Sequence, residues 1–109
     1  MPHQQNQFCI SACDACATAC DHCAAACLAE SQVSQLVDCI KLDLDCAALC
    51  RLASSAMARG STQVNAICSN CAELCDACAT ECEKHRHQHC KECAQACREC
   101  AQACRKMAH

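Results

Sequence analysis

Along most of this chain the positions that should be apolar recur at alternating steps of four and three, and they are filled by cysteine. Cys9, Cys13, Cys16, Cys20, Cys23 and Cys27 are spaced four, three, four, three and four residues apart. The rhythm returns at Cys68, Cys71, Cys75, Cys78 and Cys82, and again at Cys90, Cys93, Cys97, Cys100 and Cys104. Cys39, Cys46 and Cys50 carry a sparser version. Residues three and four apart share one helix face, with roughly 5–6 Å between Cβ atoms. Each stretch therefore predicts a helix with a line of thiols along its buried side.

The intervening residues divide the chain into helices at about residues 5–29, 32–59, 62–84 and 87–107. Ser31 or Ser34 is placed to cap the second helix and Ser61 or Thr62 the third, while Gly60 suits a left-handed C-terminal position. Short turns between four helices of similar length predict an all-α, antiparallel four-helix bundle with a cysteine-lined core, a single domain over residues 1–109. The second helix is mixed. Its seam reads Leu36, Cys39, Asp43, Cys46, Cys50, Ala53 and Met57, and Val33, Val37, Ile40, Leu42, Leu44, Leu49 and Leu52 lie off it. One buried stripe does not need so many, so a second apolar face predicts a homo-oligomer. On the fourth helix Lys91, Glu92, Gln95, Arg98, Glu99, Gln102 and Arg105 read as a solvated outer face.

Composition agrees with the pattern. One glycine, one proline and a single aromatic residue, Phe8, leave little for strands or for an ordinary core, and 19 cysteines occupy the space. That count would suit a small disulfide scaffold. Against this, the polar start Met-Pro-His-Gln-Gln-Asn-Gln has no basic-then-apolar export pattern, from which a cytoplasmic location with reduced thiols is expected. Helical neighbours at i and i+4 also stand further apart than the roughly 3.5–4.5 Å between Cβ atoms that a disulfide needs. The net charge of −3, mixed in sign along the chain, offers nothing to nucleic acid. The longest nearly apolar run, residues 23–29, is too short to cross a membrane.

The chemistry lies in the seams. Eight pairs are C-x-x-x-C: Cys9/Cys13, Cys16/Cys20, Cys23/Cys27, Cys46/Cys50, Cys71/Cys75, Cys78/Cys82, Cys93/Cys97 and Cys100/Cys104, with Cys39, Cys68 and Cys90 outside them. Soft thiolates without oxygen ligands favour Cu(I). Zinc ranks second, because it takes four ligands in a tetrahedron, commonly from C-x-x-C knuckles in turns; a zinc or general metal-thiolate buffer is the alternative function. If every thiol ionised, only matching cations would make the interior tolerable. One Cu(I) per thiolate achieves this, giving a capacity near one Cu(I) per cysteine. Cysteine as a plain small hydrophobe does not explain its confinement to the seams, and the ferredoxin cysteine spacing of an iron–sulfur carrier is absent. No catalytic residue is assigned, and no enzyme activity is expected.

Histidine and methionine gather at the bundle ends. An antiparallel arrangement brings His3, Met57, Met107 and His109 to one end and His85, His87 and His89 to the other, where they could admit metal or serve as auxiliary ligands. His22 reads as a surface residue. Asp43 stands where a thiol is expected, so it is buried and paired, with a histidine or Lys41, or it bounds the metal-filled part of the core.

The repeated C-x-x-x-C on four helices, the segment Cys-Ile-Lys-Leu-Asp-Leu-Asp-Cys (39–46) and the turn Glu-Cys-Glu-Lys-His-Arg-His-Gln-His-Cys (81–90) resemble the cytosolic branch of the bacterial copper storage proteins. That resemblance spans nearly the whole chain. It implies a homotetramer of four-helix bundles, each holding many Cu(I) ions, with the cysteines as ligands position by position. A metal-responsive regulator is the reading from another class, but it would need few cysteines and a basic DNA-facing surface. Which protein donates or receives the copper is not written in these residues.

Overall fold

The structure, a computed structural model, describes residues 6–108. Four helices run α1 (Gln7–Leu28), α2 (Val37–Arg59), α3 (Val64–Cys82) and α4 (Gln88–Met107), with a 3-10 turn at Val33–Leu36 before α2. They form a rod with extents of 47 × 19 × 17 Å. Each helix packs on two others: α1 on α2 and α4, and α3 on α2 and α4, while the diagonal pairs stay apart. The connections are short, so successive helices run antiparallel around a square.

Why the helices fit so closely follows from what stands beside the cysteines. Ala17, Ala24, Ala47, Ala72, Ala79, Ala94 and Ala101 are all buried, and each directly follows a seam cysteine. A small residue beside a small residue at every heptad lets neighbouring helices approach, and the thiols fill the narrow centre. Leu36, Ile10 and Met57 join this core near the two ends of the rod. The α2 seam is buried throughout, Asp43 included, as its spacing predicts.

The expected serine and threonine caps are not made. No side chain caps any of the four helices: α2 begins after Leu36 and α3 after Gln63. The segment expected to open the second helix winds instead as the 3-10 turn. Ser61 stands two residues before the N-cap position Gln63, its hydroxyl accepting from the Gln63 N–H at 3.0 Å. Gly60 does end α2 in the left-handed region, at φ 66° and ψ 42°. Its N–H donates to the Met57 carbonyl at 3.2 Å, and the Ser61 N–H to that of Ala56 at 2.9 Å, the two bonds of a Schellman ending. The outer face of α4 is also more than solvated. Arg98 reaches Glu83 at 2.9 Å and Asp76 at 3.1 Å, and Arg105 meets the same Asp76, so α4 is tied to α3 and the turn after it. Arg51 and Asp21 make a similar 2.8 Å tie between α2 and α1.

Candidate metal centre

All 19 cysteines are buried and none is paired in a disulfide. Their sulfurs form a column along the rod axis. At the end where α1 and α3 finish, Cys23, Cys27 and Cys90 lie 3.9 Å from one another. Cys39 and Cys82 approach to 3.5 Å. Cys93 follows, 3.6 Å from Cys20, and Cys97 is 3.8 Å from Cys20 and 3.7 Å from Cys16. Cys46 and Cys75 stand 3.6 Å apart, and Cys50 touches Cys71, Cys75 and Cys100 at 3.7–3.8 Å. Cys13, Cys9 and Cys104 carry the column to the other end, with Cys104 3.7 Å from Cys13 and 3.8 Å from Cys9. Cys68 is buried beside this last group, interacting with Cys9 and Cys104.

These separations suit shared metal ions. For a metal–sulfur bond of about 2.3 Å, the length seen with zinc thiolates, two sulfurs on one ion lie about 3.8 Å apart in a tetrahedron, about 4.0 Å in a trigonal plane and about 4.6 Å in a line. Sets of four sulfurs within 4.8 Å of one another include Cys13/Cys71/Cys100/Cys104, Cys16/Cys46/Cys50/Cys75, Cys16/Cys20/Cys46/Cys97, Cys20/Cys78/Cys93/Cys97 and Cys23/Cys27/Cys39/Cys90. Each of these draws on three helices, and Cys16, Cys20, Cys46 and Cys97 each belong to two of them. Where sets overlap, one sulfur can bridge two ions.

Asp43 interrupts this column in a way that its own helix did not reveal. It is fully buried, and its partners are neither a histidine nor Lys41, which is exposed. Thiols surround it instead: Cys78 and Cys93 donate to Oδ1 at 3.3 Å, Cys82 to Oδ1 at 3.6 Å and Cys39 to Oδ2 at 3.8 Å. Burial, helped by the neighbouring Cys93, pushes its carboxyl up to about 8. It is therefore a neutral acid near neutral pH, standing between the Cys23/Cys27/Cys39/Cys90 set and the rest of the column. Burial also raises the thiol of Cys27, to about 11, and that of Cys90.

The histidine end brings an imidazole up to the sulfur column. His89 projects its Nδ1 toward three sulfurs, 3.6 Å from Cys23 and Cys90 and 3.8 Å from Cys27. Its other nitrogen, Nε2, meets Glu30 Oε2 at 2.9 Å. His87 Nδ1 is 3.3 Å from the same oxygen, and the rings of His87 and His89 stack with centroids 5.1 Å apart. His85 pairs with Glu81 at 2.9 Å. Glu30, Ser31, Gln35, Leu36, His85 and His87 line a cleft of about 350 Å³ at this end. At the opposite end Met57 is buried as a plug of the core, Asn6 donates to its backbone carbonyl at 3.4 Å, and Met107 is half-buried. His22 is exposed, and His3 and His109 lie outside the described residues. Glu30 was the residue that the spacing argument missed. It lies in the turn after α1, three residues past Cys27 where the four-three rhythm would next fall, and the fold brings it to His89.

A family model described as "Copper storage protein" (Csp) matches residues 2–109. The chain belongs to the copper storage protein family. Among solved structures, it is 47% identical to a Cu(I)-bound copper storage protein, BsCsp3, over the whole of both chains, with a TM-score of 0.92. It is 39% identical to a cytosolic copper storage protein from Streptomyces lividans holding five coppers, covering 97% of this chain and 93% of that one, again at a TM-score of 0.92. Among curated proteins, an uncharacterized cysteine-rich protein, YhjQ, of Bacillus subtilis is 50% identical over 71 residues, a match spanning 65% of this chain and 66% of that relative's length. The four-helix bundle with cysteines grouped in its core is thus the architecture of this family.

Proposed function

We propose that the chain stores Cu(I), using its cysteines as ligands, with a capacity near one ion per cysteine. The observation that carries this reading is the proximity of buried, unpaired thiols along the column on either side of Asp43, with sulfur-to-sulfur distances of the size that bridging metal ions require. Charge supports the monovalent ion. A thiolate bridging two Cu(I) ions leaves a lattice of equal cation and thiolate numbers neutral, whereas each four-thiolate zinc site keeps two negative charges in a dry core. The relatives with bound copper, described above, support the same cargo. A store is the fitting role, since the core is filled by the ligands themselves.

We place the metal's way in at the His85, His87 and His89 end, where an imidazole nitrogen already faces three sulfurs from a partly exposed position. Asp43 is a boundary residue of the column on this reading, and Met57 plugs the far end. Val37, Leu44 and Leu52, exposed by 42%, 54% and 47%, together with half-buried Ile40, support a homotetramer assembled through the outer face of α2. Among the described residues no helix is long and apolar enough to cross a membrane. A cytoplasmic location is the compartment that keeps these thiols reduced and ready for metal.

Anaerobic titration in reducing buffer tests the cargo. Cu(I) is expected to bind to near one equivalent per cysteine and to displace zinc in competition, and an anomalous-scattering map of the loaded crystal should trace a row of ions along the core. Saturation at a few equivalents, or retention of zinc against equimolar Cu(I), would overturn the reading. The overlapping four-sulfur sets also suit tetrahedral zinc, so the zinc-thiolate buffer is the reading that those outcomes would favour.

A further inference from the structure

The contacts around His89 fix more than its position. In a neutral imidazole one nitrogen carries the proton and the other a lone pair. An ionised carboxylate can only accept, so the nitrogen 2.9 Å from Glu30 Oε2 must be the one bearing hydrogen. Nε2 is therefore the N–H, and Nδ1 is left as the lone pair aimed at Cys23, Cys27 and Cys90. The ring has little room to do otherwise. Its side chain is 12% exposed, and His87 lies flat against it, 5° from parallel. Glu30 is held in turn: its N–H donates to the Cys27 carbonyl at 3.1 Å, so its backbone is tied to the last thiol of the α1 seam. The hydrogen bond from His89 keeps the Glu30 carboxyl below the usual carboxylate range, consistent with an acceptor that stays ionised.

We propose that Glu30 is a positioning residue of the mouth: accepting from Nε2–H, it holds His89 in the tautomer that presents Nδ1 as a ligand to Cu(I) arriving above the Cys23, Cys27 and Cys90 thiols. With the acceptor gone, the imidazole is free to carry its proton on Nδ1, and an N–H would then face the sulfurs where a lone pair is needed. Groups that orient a metal-binding histidine in this way are typically worth about 10- to 100-fold in metal affinity or activity. The proposal rests on the reading of this end as the way in, and Glu30 itself stays outside the thiol column, so its influence falls on the rate of loading.

Metal-free protein with 15N-labelled histidine reports the tautomer directly through long-range 1H–15N correlations, with the His89 signals assigned by their loss in His89→Ala. Stopped-flow mixing with Cu(I) supplied as its acetonitrile complex reports loading. The expected result is an Nε2–H tautomer for His89 in the native chain, a mixed or Nδ1–H form in Glu30→Ala with loading slowed about tenfold and final capacity retained, and substantial recovery of both in Glu30→Gln, whose amide oxygen still accepts. A His89 tautomer unchanged in Glu30→Ala, or loading at native speed in that variant while His89→Ala is slow, would overturn the role of Glu30. His89→Ala loading at native speed would instead overturn the mouth itself, and the tautomer spectra keep the two failures apart. Circular dichroism on each variant identifies any loss of fold, and a folded Glu30→Ala with native tautomer and native rate counts against the proposal.

Discussion

Replacing Asp43 by asparagine removes the buried carboxyl of the core while keeping its shape, and the consequence should be a change in how stability responds to pH. In the metal-free protein, burial pushes Asp43 up to about 8 from an ordinary value of 3.8, with the Cys39, Cys78, Cys82 and Cys93 thiols facing it from α2, α3 and α4. Its pKa is raised on folding, so the native state holds a proton that the unfolded chain has lost. The stability linked to it is therefore fully present below about pH 4 and is lost as pH rises toward 8. The slope is about 1.4 kcal/mol per pH unit. Over the whole interval that amounts to roughly 6 kcal/mol, and relaxation and water penetration around the carboxylate reduce it to several kcal/mol at most. Urea unfolding of metal-free protein in anaerobic, reducing buffer between pH 5 and 8 measures it. The native chain should lose stability with rising pH relative to Asp43→Asn, whatever constant offset the amide introduces. Parallel profiles would mean that the carboxylate is already ionised at pH 5, and that the four thiol donors outweigh the burial of its charge.

Other perturbations address the column and its casing. Cys46→Ser removes a sulfur shared by two four-sulfur sets; native mass spectrometry should show the Cu(I) capacity lower by about one equivalent with the rest of the lattice intact, and a loss of four or more would mean separate all-or-none clusters. Burial holds Cys27 at about 11 and raises Cys90, so loading at pH 7 should release about one proton per Cu(I), seen with an indicator dye in weak buffer, and affinity should fall in acid. Arg98→Ala cuts exposed ties between α3 and α4 and should cost less than about 1 kcal/mol in urea unfolding, with capacity unchanged. Leu44→Glu combined with Leu52→Glu places charge on the outer face of α2, and light scattering should show a smaller assembly than that of the native chain.

The four-three rhythm made the bundle legible because it specifies a period and a buried face at once, and cysteine is small enough to serve as the seam residue of a heptad. The same pattern located Asp43 in the core, since residues 36, 39, 43, 46, 50, 53 and 57 form one line whatever their chemistry. What the rhythm could not carry is the register between helices. Asp43 meets Cys78, Cys82 and Cys93 through the way α3 and α4 slide against α2, so its thiol partners were invisible where Lys41, two residues away, looked available. The failed caps have a related origin. Serine and threonine signal a helix start when local hydrogen bonds decide it, whereas here the tight fit of the seam carries the helix ends and Leu36 and Gln63 stand at the boundaries without side-chain caps. Glu30 falls where the α1 rhythm would next land, three residues past Cys27, but nothing local names its partner His89, 59 residues away. Periodicity in this chain thus encodes the thiol column, and the Glu30–His89 contact at its end is encoded by the fold, which brings the turn after α1 against the first turn of α4.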